Sequence, residues 1–471
     1  MSEQIERALG QLGLSSFKPG QEAIIEAVLA GRDVLGILPT GGGKTLCYQL
    51  PEVIRGGLTV VVEPLLALMR DQVLRLQSLG AKHAVALNST LAPEGIREIL
   101  AQVNQLNFLF IAPEMLQRGD VQTALRQAQV QLLVVDEAHC IFQWGPDFRP
   151  AYLQLGRVRE AIRPRSVLAL TATAPVSVQE VIQRELQLQN PKTVTLSVDR
   201  PNLFMGVEQL ITPAEVSARA LGLLEQLEGP AVIYCNTKRL AEEMAVRVQK
   251  TGKRAAFYHA DLDAHTRMLR ERQFLTNEID VICATSAFGM GVDKPDIRLV
   301  IYLGVPETLT AYIQAIGRAG RDGAFAVTAL LYTPSDLQRA VQYAAALPTK
   351  TLIDAVYANP NAYAMSPDPQ LQLIGSYQRL GFPKSRVEAE LQQRLAIRAE
   401  SVQEVASFLQ TPDCFRAALM QVFDSASRPH DDQCCGGVPM SMRTQTTVKR
   451  LKNHEKMGWK DVFQQIFKNN N

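Results

Sequence analysis

Short apolar runs rich in β-branched residues recur through the first two-thirds of this chain, and helical patterns separate most of them. Residues 34–38, 58–62, 108–112, 132–135 and 167–170 form one set, and 231–234, 281–284, 299–302 and 327–332 a second. Runs that are apolar throughout, rather than alternating, suit parallel strands buried on both faces, with the intervening helices as cover. The pattern predicts an α/β protein with two tandem parallel-sheet lobes, and residues 197–202 read as the linker between them. Beyond Pro334 the pattern changes. Residues 336–425 look helical, with breaks around 358–369 and 381–383, and 425–442 turn to Pro, His, Asp, Gly and Cys. The tail carries Lys449, Arg450, Lys452, Lys456, Lys460 and Lys468, with apolar residues at roughly helical spacing.

A length of 471 residues leaves room for two or three proper cores. The formal net charge of +2 excludes a histone-like blanket of positive charge, so any phosphate binding must come from a local groove. No apolar run reaches the ~18 residues of a membrane span, and the acids Glu3 and Glu6 argue against a signal peptide. Seven scattered cysteines fit a reducing, cytoplasmic setting rather than a disulfide scaffold.

Residues 38–45 follow a predicted strand and open a predicted helix. Gly41, Gly42 and Gly43 let backbone amides curl around phosphate oxygens. Lys44 is then placed for the β- and γ-phosphates, and the Thr45 hydroxyl for Mg²⁺. Asp136 and Glu137 end a second buried run. Strand ends converge on one edge of a parallel sheet, so Asp136 can hold Mg²⁺ through water while Glu137 orients or deprotonates the attacking water. In the second lobe, Arg318 and Arg321 are spaced to share a helical face and to grip a γ-phosphate across a cleft. Directly after Glu137 comes a loop with Trp144, Phe148 and Arg149, flat groups on which unpaired bases stack. An ATPase that senses nucleic acid is expected.

Together these residues resemble superfamily 2 helicases, and specifically the RecQ family of DNA helicases. Phe17, Lys18, Pro19, Gly20 and Gln21 look like the adenine-reading motif, with Gln21 as the base contact. Residues 46–49, 62–73, 112–114, 171–174, 234–237 and 285–295 are similar to further family motifs in the correct order, and the last run includes Asp293 at the nucleotide site. The resemblance implies two RecA-like lobes followed by a mainly helical C-terminal region. The boundaries expected are 1–22 for the N-terminal helix and adenine-reading motif, 23–197 and 203–350 for the lobes, 351–442 for the helical region with the zinc module, and 443–471 for the basic tail. It also implies ATP and Mg²⁺ as cofactors, and single-stranded and forked DNA as partner. Movement would be 3′→5′ along single-stranded DNA, in recombination and repair, by a monomer associated with the bacterial nucleoid. An RNA helicase on the same core, and an ATP-switched DNA-binding or annealing factor with weak unwinding, remain alternatives.

Three departures from the family pattern stand out. Glu63 occupies a place where the family usually has Ser against a DNA phosphate, so a weaker grip is expected there. Phe142 and Pro146 replace the usual Ser and His in the aromatic loop. The family zinc module needs four cysteines. Here Cys414 matches the first, but aligning Cys435 with the second puts Val438 and Ser441 at the remaining places. That count favours a lost site, with His430 and Cys434 as recruits if the site is rearranged. About 30 residues follow, too few for the winged-helix and HRDC domains of long members. The basic tail either clamps phosphate or is a solvated end.

Overall fold

The computed structural model describes residues 2–39, 41–78, 83–143, 145, 149–289 and 292–438. Trp144, Pro146, Phe148 and the basic tail expected over 443–471 lie outside the described residues. In the first lobe the strands are β1 Val34–Ile37, β2 Thr59–Val62, β3 Ala84–Leu87, β4 Phe108–Ile111, β5 Leu132–Val135, β6 Ser166–Thr171 and β7 Lys192–Thr195. In the second they are β8 Leu203–Gln209, β9 Ala231–Cys235, β10 Ala255–Tyr258, β11 Val281–Ala284, β12 Leu299–Leu303, β13 Ala326–Tyr332 and β14 Cys435–Gly436.

Every ladder is parallel. The first sheet runs β3-β4-β2-β5-β6-β1-β7, and the second runs β10-β11-β9-β12-β13-β8-β14. Adding seven to each label of the first order gives the second, so the lobes repeat one another strand for strand. The fully buried runs Leu132–Val135 and Ala231–Cys235 show why the sequence is continuous rather than alternating there. Helices cover both faces of each sheet, and such strands have no wet side.

The linker is pinned rather than loose. Arg416 is fully buried; its guanidinium pairs with Asp199 and donates to the carbonyls of Arg200 (3.1 Å), Leu203 and Cys434 (3.4 Å). The short β14 pairs with β8 just beyond, which joins the cysteine-rich segment to the second sheet.

In the helical region, Leu371, Leu373, Ile374, Leu380 and Phe382 pack on the first lobe rather than the second. These residues cluster with Leu153 of the first lobe, and the Gln154 side-chain amide donates to the Leu380 carbonyl at 2.9 Å. The helix Lys384–Leu409 continues from there to the second lobe, where Val405, Phe408 and Leu409 enter the core with Phe274 and Tyr312. At 26 residues it is about 39 Å long and touches both lobes. Among the described residues no helix is long and apolar enough to cross a membrane.

Candidate nucleotide-binding and catalytic site

β1 delivers the glycine-rich loop at the edge where the first sheet's strands end. Gly41 and Gly43 both have positive φ, 84° and 72°, conformations that L side chains resist. At Gly43 a Cβ would also stand 2.5 Å from Gln21 Nε2. Among the described residues the amides of Gly43, Lys44 and Thr45 find no acceptor, and the Thr45 side chain makes no cap at the helix Leu46–Arg55. Unpaired amides at a helix start form a ready anion cradle.

Gln21 lies beneath this cradle. Its amide donates to the carbonyls of Gly42 (3.0 Å) and Gly43 (2.9 Å) and accepts from the Lys18 amide at 2.8 Å. The residue expected to read adenine thus supports the phosphate loop in this structure.

Lys44 faces the end of β5. Its Nζ lies 2.8 Å from Glu137 Oε1 and 3.8 Å from Asp136 Oδ1. Burial would lower the Lys44 pKa, but Glu137 and Asp136 outweigh it and hold the ammonium charged. Burial likewise pushes Glu137 up, yet Lys44 and His139 bring its carboxyl well below the usual range. Asp136 is raised, chiefly by burial. Glu137 has φ 47°, an unfavourable conformation for a side chain of this size, of the kind found where a site fixes a group's direction. One lysine opposed by buried carboxylates beside free amides suits a magnesium–nucleotide pair, with Thr45 and Asp136 positioned to hold the cation.

A line of contacts leads from Glu137 to the other lobe. His139 Nδ1 sits 3.3 Å from Glu137 Oε2 and 3.0 Å from Thr171 Oγ1. The Thr171 hydroxyl donates to the Thr173 carbonyl at 3.1 Å, so it accepts from His139 and the proton belongs on Nδ1. Gln314 of the second lobe then donates to Thr173 Oγ1 at 3.1 Å. No role for His139, Thr171, Thr173 or Gln314 is legible in the sequence, although Thr171 and Thr173 fall within the 171–174 run; only the structure joins them.

Arg318 and Arg321 do not share a helical face. The helix Leu309–Ile316 ends before them, and they lie in the turns that follow. Arg318 donates to the Gly289 carbonyl, while Arg321 donates to the Val292 carbonyl (2.9 Å) and pairs with Asp293 (3.0 Å). Asp293 therefore meets an arginine of its own lobe. Arg149 is held by Glu114 at 2.7 Å and by the Pro64 carbonyl.

Glu63 is not on an outer, DNA-facing surface as expected. It is 2% exposed and faces Asp136, Glu137 and Lys44, because β2 ends beside β5. Phe142 has a partner that explains its size: the Arg394 guanidinium lies 5.4 Å above its ring, and Arg394 also donates to the Gln143 carbonyl at 3.1 Å.

In the C-terminal region, Cys414, His430, Cys434 and Cys435 bring their donor atoms within 4.8 Å of one another. Cys414 Sγ is 3.7 Å from Cys434 Sγ and 3.5 Å from Cys435 Sγ, and Cys435 Sγ is 3.7 Å from His430 Nδ1. Burial raises the Cys414 thiol, but the Ala417 amide and its sulfur and imidazole neighbours bring it down to about 7; burial pushes Cys435 up to about 12.

Fold and site define a two-lobe, P-loop helicase engine. A DEAD/DEAH box helicase family model matches residues 18–181, and a helicase conserved C-terminal domain matches 215–323. The chain is 38% identical over 476 residues to a probable ATP-dependent DNA helicase RecS of Bacillus subtilis, covering 97% of this chain and 96% of that protein. It is also 38% identical over 326 residues to the ATP-dependent DNA helicase RecQ of Haemophilus influenzae, covering 69% of this chain and 52% of that one. The chain belongs to the RecQ family and is an ATP-dependent DNA helicase. Among solved structures, Mss116p bound to ssRNA and AMP-PNP superposes with a TM-score of 0.60 at 18% identity, over 89% of this chain and 94% of that one. Lhr of Mycobacterium smegmatis, bound to ssDNA and AMP-PNP, gives 0.58 at 21% identity, over 82% and 57%. At such identities the likeness is one of fold.

Proposed function

We propose that this helicase moves 3′→5′ along single-stranded DNA and opens forked duplex in recombination and repair. Residues 23–197 and 203–350 act as its two motor lobes. Lys44 and the loop of Gly41, Gly42 and Gly43, through the amides of Gly43, Lys44 and Thr45, hold the ATP phosphates, Thr45 and Asp136 hold Mg²⁺, and Glu137 directs the attacking water. Gln21, once its amide leaves the Gly42 and Gly43 carbonyls, reads the base. Arg318 and Arg321, released from the loop that carries Asp293, complete the site from the second lobe. Trp144, Phe148 and Arg149 take the DNA bases and backbone. The observation that carries the reading is the line from Glu137 through His139, Thr171 and Thr173 to Gln314, because it ties the hydrolytic carboxylate to the lobe that must move. The engine works as a monomer, since its own second lobe faces the nucleotide, and in the cytoplasm at the nucleoid, where its substrate lies. Forks with only a 3′ or only a 5′ single-stranded tail test the direction: unwinding of the 3′-tailed fork alone is expected. ATP turnover stimulated by RNA as strongly as by DNA would favour the RNA reading.

A second reading concerns the C-terminal cluster. Sulfur–sulfur spacings of 3.5 and 3.7 Å match the edges of a tetrahedron with zinc–sulfur bonds near 2.3 Å. This supports a rearranged zinc site of Cys414, His430, Cys434 and Cys435 over a lost one. Purified protein should then carry about one zinc per chain by atomic absorption. Because thiolates are the ligands, acid, which protonates them, should weaken retention. Metal content well under one per chain would restore the lost-site reading.

A further inference from the structure

Glu63 follows β2 and Asp136 follows β5. The two strands pair in parallel with Val62 opposite Val135, and the Asp136 amide donates to the Val62 carbonyl at 3.1 Å. The next residue of each strand therefore stands beside the other, about 4.8 Å apart in the backbone, with side chains on the same side. Glu63 is 2% exposed, and its Oε1 has no hydrogen-bond partner.

Three carboxyl groups, Glu63, Asp136 and Glu137, surround one ammonium, and that ammonium is already committed to Glu137 at 2.8 Å; burial and the two neighbouring carboxylates hold the Glu63 carboxyl well above the usual range. A buried carboxyl oxygen without a partner is costly. An apolar residue or the family's usual Ser would avoid that cost, so the cost itself marks a ligand. Mg²⁺ suits the place, because it keeps several waters and binds through one or two carboxylates together with substrate phosphates.

We infer that Glu63 is a metal-positioning residue whose carboxylate, beside that of Asp136, orients the water shell of the divalent cation and strengthens its binding before nucleotide arrives. The inference rests on the reading of Asp136 as the Mg²⁺ ligand. Ser at this position supplies no charge, so the substitution makes this site a tighter cation seat than the usual family sequence provides.

The test uses the full chain without nucleotide and Mn²⁺ as the probe, with binding followed by electron paramagnetic resonance. Glu63→Gln keeps the shape and removes the charge, Glu63→Ser restores the family residue, and Asp136→Asn removes the neighbouring ligand. Melting temperatures check folding, and if one Glu63 variant unfolds the other decides. Expected is a roughly tenfold or greater rise in the Mn²⁺ dissociation constant for either Glu63 variant, the scale on which supporting ligands act. The Mg²⁺ needed for half-maximal ATP turnover should rise in parallel, while turnover at saturating Mg²⁺ largely recovers. A merely structural Glu63 would not produce that split. Unchanged Mn²⁺ affinity in both Glu63 variants, with binding lost in Asp136→Asn, overturns the inference and leaves the site reading intact. Unchanged affinity in Asp136→Asn as well overturns both.

Discussion

In the first lobe, β1 passes to the helix Leu46–Arg55 through the glycine-rich residues 38–45. In the second lobe, β8 occupies the same place in the sheet and reaches the helix Pro213–Gln226 through only Leu210, Ile211 and Thr212. There the helix start is closed. Thr212 Oγ1 accepts from the Glu215 amide at 3.2 Å, Glu215 Oε2 accepts from the Ile211 amide at 3.1 Å, and Pro213 has no amide hydrogen to offer. The first lobe leaves the equivalent amides without described acceptors. One strand order thus yields a phosphate seat or a sealed turn, according to whether the connection caps its own helix. The repeat shows how the second lobe can share the architecture yet lack a cradle of unpaired amides.

Five substitutions test that contrast. If the second lobe supplies charge but no seat, Arg318→Ala should lower ATP turnover by about 10³-fold, the scale of an arginine finger, with nucleotide affinity in equilibrium binding nearly unchanged. A large loss of affinity would make the second lobe part of the seat. Next, Lys44→Ala should lower turnover by at least ~10²-fold, as expected for one electrostatic stabiliser, and Glu137→Gln should stop turnover while ATP still binds; parent-rate hydrolysis in either would move the seat elsewhere. Gln314→Ala removes the hydrogen bond to Thr173 and should cost about 1 kcal/mol, seen as a several-fold drop in DNA-stimulated turnover with basal turnover kept. Equal loss of both would show that the link serves hydrolysis rather than communication. Smallest is Thr212→Ala. It should cost about 1 kcal/mol of stability in denaturant unfolding and leave turnover alone; a change in nucleotide binding would contradict the sealed-turn assignment.

Much of this was readable from the chain. The runs at 34–38 and 132–135 announced β1 and β5 because both strand faces are buried, and Lys44, Asp136 and Glu137, which follow them in the chain, meet in the structure. Five strands escaped notice: β3 and β10 are short and Ala-containing, β7 is mostly exposed, β8 mixes Gly, Glu and Gln into its apolar run, and β14 has two residues. Such strands are defined by their neighbours' hydrogen bonds, which leave no periodic trace. Glu63 was misplaced for a related reason. Its direction depends on the β2–β5 register, a property of two segments that neither shows alone. His430 and Cys434 entered only as recruits for a rearranged site, because cysteine spacing along the chain does not show that His430 folds back onto Cys435.

The long helix Lys384–Leu409 gives the molecule mechanical leverage. Its far end is rooted in the second lobe at Val405 and Phe408, while Arg394 grips Phe142 and the Gln143 carbonyl at the root of the aromatic loop. From Val405 to Arg394 is about 17 Å along the axis. A tilt of about 10° at the rooted end would carry Arg394 roughly 3 Å, as far as its whole hydrogen bond to Gln143. A small rotation of one lobe is thereby magnified into the making or breaking of a contact at Gln143 of the other.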